Sequence, residues 1–259
     1  MFNIATPVSG LFSNNKNYKN IADLSDCLEL RHNYPYKESK KNKLFHFEFQ
    51  PIHDLSSINF NYIDQIIKKN KHLELITFHM ASCYDMPKII DGKFIPGGKK
   101  YTPEEMYKNA KKNFSIINQI VGNSIKIAVE NNNYFRTPAY EHIAEPSFIS
   151  KIILDNNIYF LYDLAHGTIS AYNLGVNYDQ YFKSLPLDKI IQLHICKSSI
   201  KNNEAYDAHF LPDKKVYEEV INLIKNSKNL KFLTIEYYRD AKKLIKSIEK
   251  LKKIIKKNE

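Results

Sequence analysis

The chain of 259 residues has no tryptophan, only three cysteines, and just seven glycines and ten prolines, and each scarcity excludes something. So little Gly and Pro rules out collagen-like and low-complexity sequences, while a 43% hydrophobic content is ordinary for a globular protein with a full core. Three cysteines (Cys27, Cys83, Cys196) make an odd number without CxxC spacing, which fits reduced thiols rather than a disulfide scaffold. Cys83 and Cys196 accordingly read as structural thiols. No apolar run approaches the length of a membrane span, and the opening MFNIATPVSGLF lacks the basic region and long apolar stretch of a secretory signal. The expected location is the cytoplasm.

Arginine is scarce too. Of 38 basic residues only Arg31, Arg136 and Arg239 are arginines, although the net charge is +10. Residues 241–257 hold eight Lys and one Glu, or +7 of that total. Leu244, Ile245, Ile248, Leu251, Ile254 and Ile255 recur there at helical spacing, so the lysines form the outer face of a terminal helix. The remaining chain is nearly balanced. Poverty in Arg and charge gathered on one helix both argue against nucleic acid as partner.

What the sequence does have is alternation. Short β-rich runs at Asn3 to Val8, Cys27 to Arg31, Leu44 to Phe49, Glu74 to Met80, Ile125 to Glu130, Ile158 to Asp163, Ile190 to Ile195 and Lys231 to Glu236 are separated by amphipathic segments. The clearest helices are Ile58 to Lys69, Pro103 to Val121, Asp213 to Lys225 and the terminal one. Eight strands with intervening helices in this length predict a (β/α)8 TIM barrel. With no repeat, linker or composition break, residues 1–259 read as one TIM-barrel domain. The connection Ala81 to Thr102, about 22 residues with Gly92, Gly97 and Gly98, is long enough to be a lid or substrate loop over the C-terminal mouth.

Metal-ligating residue types fall at the ends of these runs: His46, His79, Glu130, Asp163 with His166 three residues on, His194, Asp207 and His209 in the following loop, and Glu236. Carboxylates ending apolar strands are costly to desolvate without a cationic partner, and three arginines would leave five imidazoles unexplained. Divalent ions account for both groups. Five His and four carboxylates suit Zn, Fe or Mn, and the roughly −4 charge balances two or three ions, which predicts a multinuclear site. On the third strand the choice between His46 and its same-face neighbour Glu48 stays open. Asn131 to Asn133, Tyr237 and Tyr238 are placed to support the ligands, with Asn131 and Tyr237 the candidates singled out.

The ligand order resembles the three-metal site of the xylose-isomerase-like barrel superfamily, which endonuclease IV-type repair enzymes also use. The stretches AVENNNYFRTPAYEH, LYDLAHGTISAYNLG, SLPLDKIIQLHI, DAHFLP and LTIEYYRD resemble the multinuclear iron-dependent oxidase family, from about Phe45 to Leu251. That resemblance implies a barrel holding two or three iron ions that use O2 to modify residues, often cysteine, in ribosomally made precursor peptides, in several cases with a peptide-presenting partner protein. It carries over to Glu130, Asp163, His166, His194, Asp207, His209 and Glu236, and more loosely to His46 and His79. Some members have Asn where this chain has His166, and the first 44 residues carry no family motif. Zinc or manganese on the same donors would instead favour a metal-dependent phosphodiesterase or a sugar isomerase or epimerase. A non-catalytic barrel binding a peptide would have little use for so many charged groups.

Overall fold

The computed structural model describes residues 2–258. In chain order the elements are β1 (Asn3–Pro7), α1 (Asn15–Leu24), β2 (Cys27–Arg31), β3 (Asn42–Phe47), α2 (Ser57–Lys69), β4 (Leu75–Phe78), β5 (Lys88–Ile90), β6 (Lys93–Ile95) and α3 (Pro103–Val121). There follow β7 (Lys126–Glu130), α4 (Pro146–Asp155), β8 (Tyr159–Asp163), α5 (Leu164–Leu174), α6 (Tyr178–Lys183), β9 (Ile190–Ile195), β10 (Lys197–Lys201), β11 (Glu204–Phe210), α7 (Lys214–Asn226), β12 (Phe232–Ile235) and α8 (Ala241–Asn258). Eight of the strands close into a parallel barrel in the order β1-β12-β9-β8-β7-β4-β3-β2. The eight anticipated strands are these eight, and β2 passes to β3 without a helix.

Period-two alternation fixes what the barrel contains. Ala5, Cys27, Leu44, Leu75, Ala128, Leu161, Ile191 and Phe232 pack together as an apolar layer, one residue from each strand. Alternate side chains such as Phe45, Phe47, Phe78, Val129, Tyr162 and Leu233 join the helices in the larger outer core. Above the apolar layer the next inward positions are polar: Glu29, Thr77, Gln192 and Thr234 are essentially inaccessible to solvent. Apolar filling at one end and polar filling at the other give the interior a direction, and the polar end is the C-terminal mouth.

Local signals hold the helices in place around it. Thr102 and Glu105 cap α3 reciprocally, with Pro103 at its first position. Asp163 ends β8 and at once caps α5, its Oδ1 accepting from His166 N at 2.8 Å. The α5 backbone also sits tightly on the sheet, since a Cβ at Gly167 would lie 2.2 Å from Tyr162 Oη. The lysine-rich α8 buries Leu244, Ile248, Leu251 and Ile255 against the barrel and turns its lysines outward. Among the described residues no helix is long and apolar enough to cross a membrane.

Two hairpins rise over the mouth. The connection from Ala81 to Thr102 is not an open loop but a strap closed by β5 and β6. It is tied down by Cys83 N to Ala139 O (3.0 Å), Phe94 N to Tyr140 Oη (2.9 Å) and Thr137 Oγ1 to Phe94 O (2.6 Å). The second hairpin, β10 with β11, carries Asp207 and His209 on a strand, where the sequence suggested a loop. A Lys93–Glu204 ion pair links the two hairpins.

Candidate metal centre

All nine predicted donors meet at the mouth, seven of them in overlapping groups of three. His46, His79 and Glu130 form one; Glu130, Asp163 and His166 form another; Asp163 and Glu236 form a third together with Cys196; and His194 and Glu236 form a fourth with Glu29, the donor atoms of each group lying within 4.8 Å of one another. Glu130 belongs to the first two groups, Asp163 to the second and third, and Glu236 to the last two. Sharing of this kind is what carboxylates bridging neighbouring ions require.

The first group settles the question left open on β3. His46 is buried and points inward, whereas Glu48 is exposed and accepts from Asn33 Nδ2. His46 Nδ1 is bonded to Thr77 Oγ1 at 2.6 Å, leaving Nε2 to face His79 Nε2 at 2.6 Å and Glu130 Oε2 at 3.4 Å. Burial and the neighbouring His46 ring together hold His79 down at about 3, so its ring is neutral and carries a lone pair.

His194 sits at the centre. Its Nε2 is held by Glu29 Oε2 at 2.9 Å, and its Nδ1 looks into three carboxylates: Glu130 Oε1 at 2.8 Å, Glu236 Oε2 at 3.5 Å and Asp163 Oδ2 at 3.9 Å. Neither His194 Nδ1 nor Asp163 Oδ2, both buried, has a hydrogen-bond partner of proper geometry. Buried polar atoms are rarely left so, and a nitrogen aimed among three carboxylate oxygens is the donor arrangement of a cation site. Burial pushes the Asp163 carboxyl up, the nearby Glu236, Asp207 and Glu130 push it further, and despite the His166 ring it reaches about 7. A divalent ion bound there would relieve that crowding.

The remaining donors are each steered by a neighbour. His166 Nδ1 donates to Asn131 O at 2.8 Å, which turns Nε2 toward Asp207 Oδ2 (3.5 Å) and Asp163 Oδ2 (3.9 Å). His209 adopts φ +41°, uncommon for a residue with a side chain, and its Nε2 lies 3.0 Å from Asp207 Oδ2 and 3.6 Å from Glu236 Oε2. Glu236 accepts from Arg31 Nη2 and Tyr238 Oη on Oε1, so that Oε2 is the atom offered to the centre.

Of the supporting residues, Asn131 does what its position suggested: its amide bonds both backbone N and backbone O of Asp163, at 2.8 and 3.0 Å. Tyr237 does not. It packs in the hydrophobic core, and the tyrosine touching Glu236 is Tyr238. Glu29 and Arg31 escaped the sequence reading as site residues. Burial would raise the Glu29 carboxyl, but His194 and Arg31 outweigh it and hold it at about 2. Both its oxygens are already engaged, Oε1 by Arg31 and Oε2 by His194 and Gln192. Glu29 is thus a holder of His194 rather than a donor. The available signal was its place two residues before Arg31 on an inward face.

A cavity of about 510 Å³ opens between the hairpins and reaches Asp207, walled by Lys93, Phe135, Glu204 and Tyr206. A larger cleft of about 750 Å³ lies between the end of β3 and α2, but none of the nine donors lines it.

Known proteins resemble this chain in fold and, in part, in sequence. The chain aligns end to end with 3-keto-D-glucoside 4-epimerase from E. coli at TM-score 0.60 and 11% identity, covering 98% of this chain and 100% of that one. D-allulose 3-epimerase from Methylomonas sp. gives 0.61 and 11%, covering 97% and 96%. A xylose isomerase-like TIM barrel protein from Mycobacterium smegmatis in complex with magnesium gives 0.60 and 9%, covering 100% and 98%. At such identities the likeness is one of fold, that of a TIM barrel, shared with the xylose isomerase-like protein among others. A curated UPF0276 protein from Caulobacter vibrioides is 27% identical over 86 residues, 33% of this chain, a match that spans 31% of that relative's length. The family model for RiPP precursor modification enzymes MbnB/TglH/ChrH matches residues 61–255, which include eight of the nine clustered donors, and the chain belongs to that family.

Proposed function

We propose that this protein is a multinuclear iron-dependent oxidase that acts on a ribosomally made precursor peptide, with O2 as electron acceptor and a cysteine of the peptide as the residue modified. The observation that carries the reading is His194 Nδ1, held by Glu29 from behind and aimed among Glu130, Asp163 and Glu236. His46, His79, Glu130, Asp163, His166, His194, Asp207, His209 and Glu236 would hold two or three ions. Two imidazoles and one carboxylate at His46, His79 and Glu130 make a donor set associated with non-haem Fe(II) and open positions. When bound, the iron supplies electron transfer and an anchor for a substrate heteroatom.

The chain's own residues supply orientation and access. Glu29 fixes which nitrogen of His194 faces inward, Asn131 does the same for His166, and Arg31 with Tyr238 fixes the free oxygen of Glu236. The cavity between the hairpins gives an extended peptide a route to Asp207, and a partner protein presenting that peptide would approach from the same side.

The test is oxygen uptake by protein reconstituted with iron without air and then given a cysteine-containing precursor peptide. Uptake that requires both iron and peptide supports the proposal. No uptake, with phosphodiester hydrolysis or sugar isomerisation by the zinc or manganese form, overturns it.

A further inference from the structure

We propose that Cys196 gives a sulfur ligand to the ion held between Asp163 and Glu236, so that this position differs chemically from the nitrogen-and-oxygen position at His46, His79 and Glu130. The proposal rests on the metal-centre reading above and adds a tenth donor to it.

Cys196 follows β9 directly, two residues beyond His194, and strand alternation places both on the interior face. Its side chain is buried. Its Sγ lies 3.8 Å from Asp207 Oδ1 and shares a group with carboxylate oxygens of Asp163 and Glu236, all within 4.8 Å of one another. The independent pointer is on Asp163, a member of the same group, whose Oδ2 is fully buried and has no hydrogen-bond partner. An ion with oxygen donors at about 2.0–2.2 Å and sulfur at about 2.3 Å brings its ligands to within roughly 4.5 Å of each other, so only small closing movements are needed.

All three thiols pack in apolar clusters, Cys196 with Ala165, Ile169 and Ala205, but among the described residues only Cys196 also shares a group with carboxylates. Cys27 lies in the apolar layer with Ala5 and Leu44, and Cys83 Sγ is bonded to Pro138 O at 3.2 Å. On binding, the Cys196 thiol proton passes to solvent and a sulfur–metal bond replaces the S–H bond, with no change of oxidation state. Asp207 Oδ1, which now accepts from the thiol, keeps its bond from His209 N. A thiolate on one ion only would favour a softer metal there and lower that ion's reduction potential relative to its neighbours.

The full-length protein loaded with Co(II) under anaerobic conditions decides the matter, because cobalt reports sulfur ligation by a near-ultraviolet charge-transfer band. Wild-type protein and Cys83→Ser are expected to show that band together with visible d–d bands. Cys196→Ser and Cys196→Ala are expected to lose the near-ultraviolet band while retaining bound cobalt. Cobalt bound by the wild type without the band overturns the assignment and leaves the metal centre standing, as does a band that survives in Cys196→Ser. Failure of the wild type to bind cobalt overturns both, and a wild type that binds cobalt without the band overturns the assignment even if a variant does not fold.

Discussion

Glu29 accepts from Arg31, Gln192 and His194 without offering a free oxygen to the centre, so its loss separates orientation from ligation. We expect Glu29→Gln to fold and to bind metal about 10–100-fold more weakly, the usual cost of removing a group that orients a ligand. Competition against a chromophoric chelator measures this; an unchanged affinity would mean that Glu29 does not orient His194. The sequence made the site legible because Glu130, Asp163 and Glu236 each end an apolar run, where a charge is expensive unless something meets it. Glu29 was hidden by its setting, since CLELR reads equally well as a strand with a solvated charged face. Tyr237 and Tyr238 could not be told apart by adjacency to Glu236, because alternation sends one to the core and the other to the site.

At the scale of elements, the site depends on how closely α5 approaches the sheet. A methyl group at Gly167 would press on Tyr162, whose hydroxyl is buried and bonded to Tyr178 Oη at 2.9 Å. Gly167→Ala should therefore cost about 1–3 kcal/mol of stability by overpacking and weaken metal binding by displacing His166. Denaturant unfolding and metal titration check the two parts, and an unaffected variant would mean that α5 can shift freely. The eight barrel strands were legible because parallel strands buried on both faces form continuous apolar runs. The hairpins were not: β5 and β6 are three residues each, and neither alternates strictly. Asp207 and His209 accordingly read as loop residues, although the spacing that places both toward the centre was already visible.

For the whole molecule, the mouth concentrates acid and imidazole groups, and those among them that hold protons would lose them to a bound ion. Burial pushes the His194 ring down, but Glu236, Glu29 and Glu130 outweigh it and hold it well above its usual value, while Asp163 is raised to about 7. Metal binding should release protons, and affinity should fall as pH drops below about 7. Calorimetry in buffers of different ionisation enthalpy measures the release, and a buffer-independent heat would contradict it. In the metal-free chain the Asp163 contribution to stability is present below its ordinary value of 3.8 and is lost as pH rises through about 7. Glu29, held near 2, contributes above its ordinary 4.5 and loses that contribution as pH falls through 2. Bound metal should add about 2.7 kcal/mol when free metal exceeds its Kd 100-fold, seen as a higher Tm. The most direct measurement is iron per chain by elemental analysis, on protein made with ample iron and purified without oxygen, for the wild type and Asp163→Ala. The account predicts two or three ions in the wild type and at least one fewer in the variant. A wild type without metal, or a variant with its full complement, would contradict it.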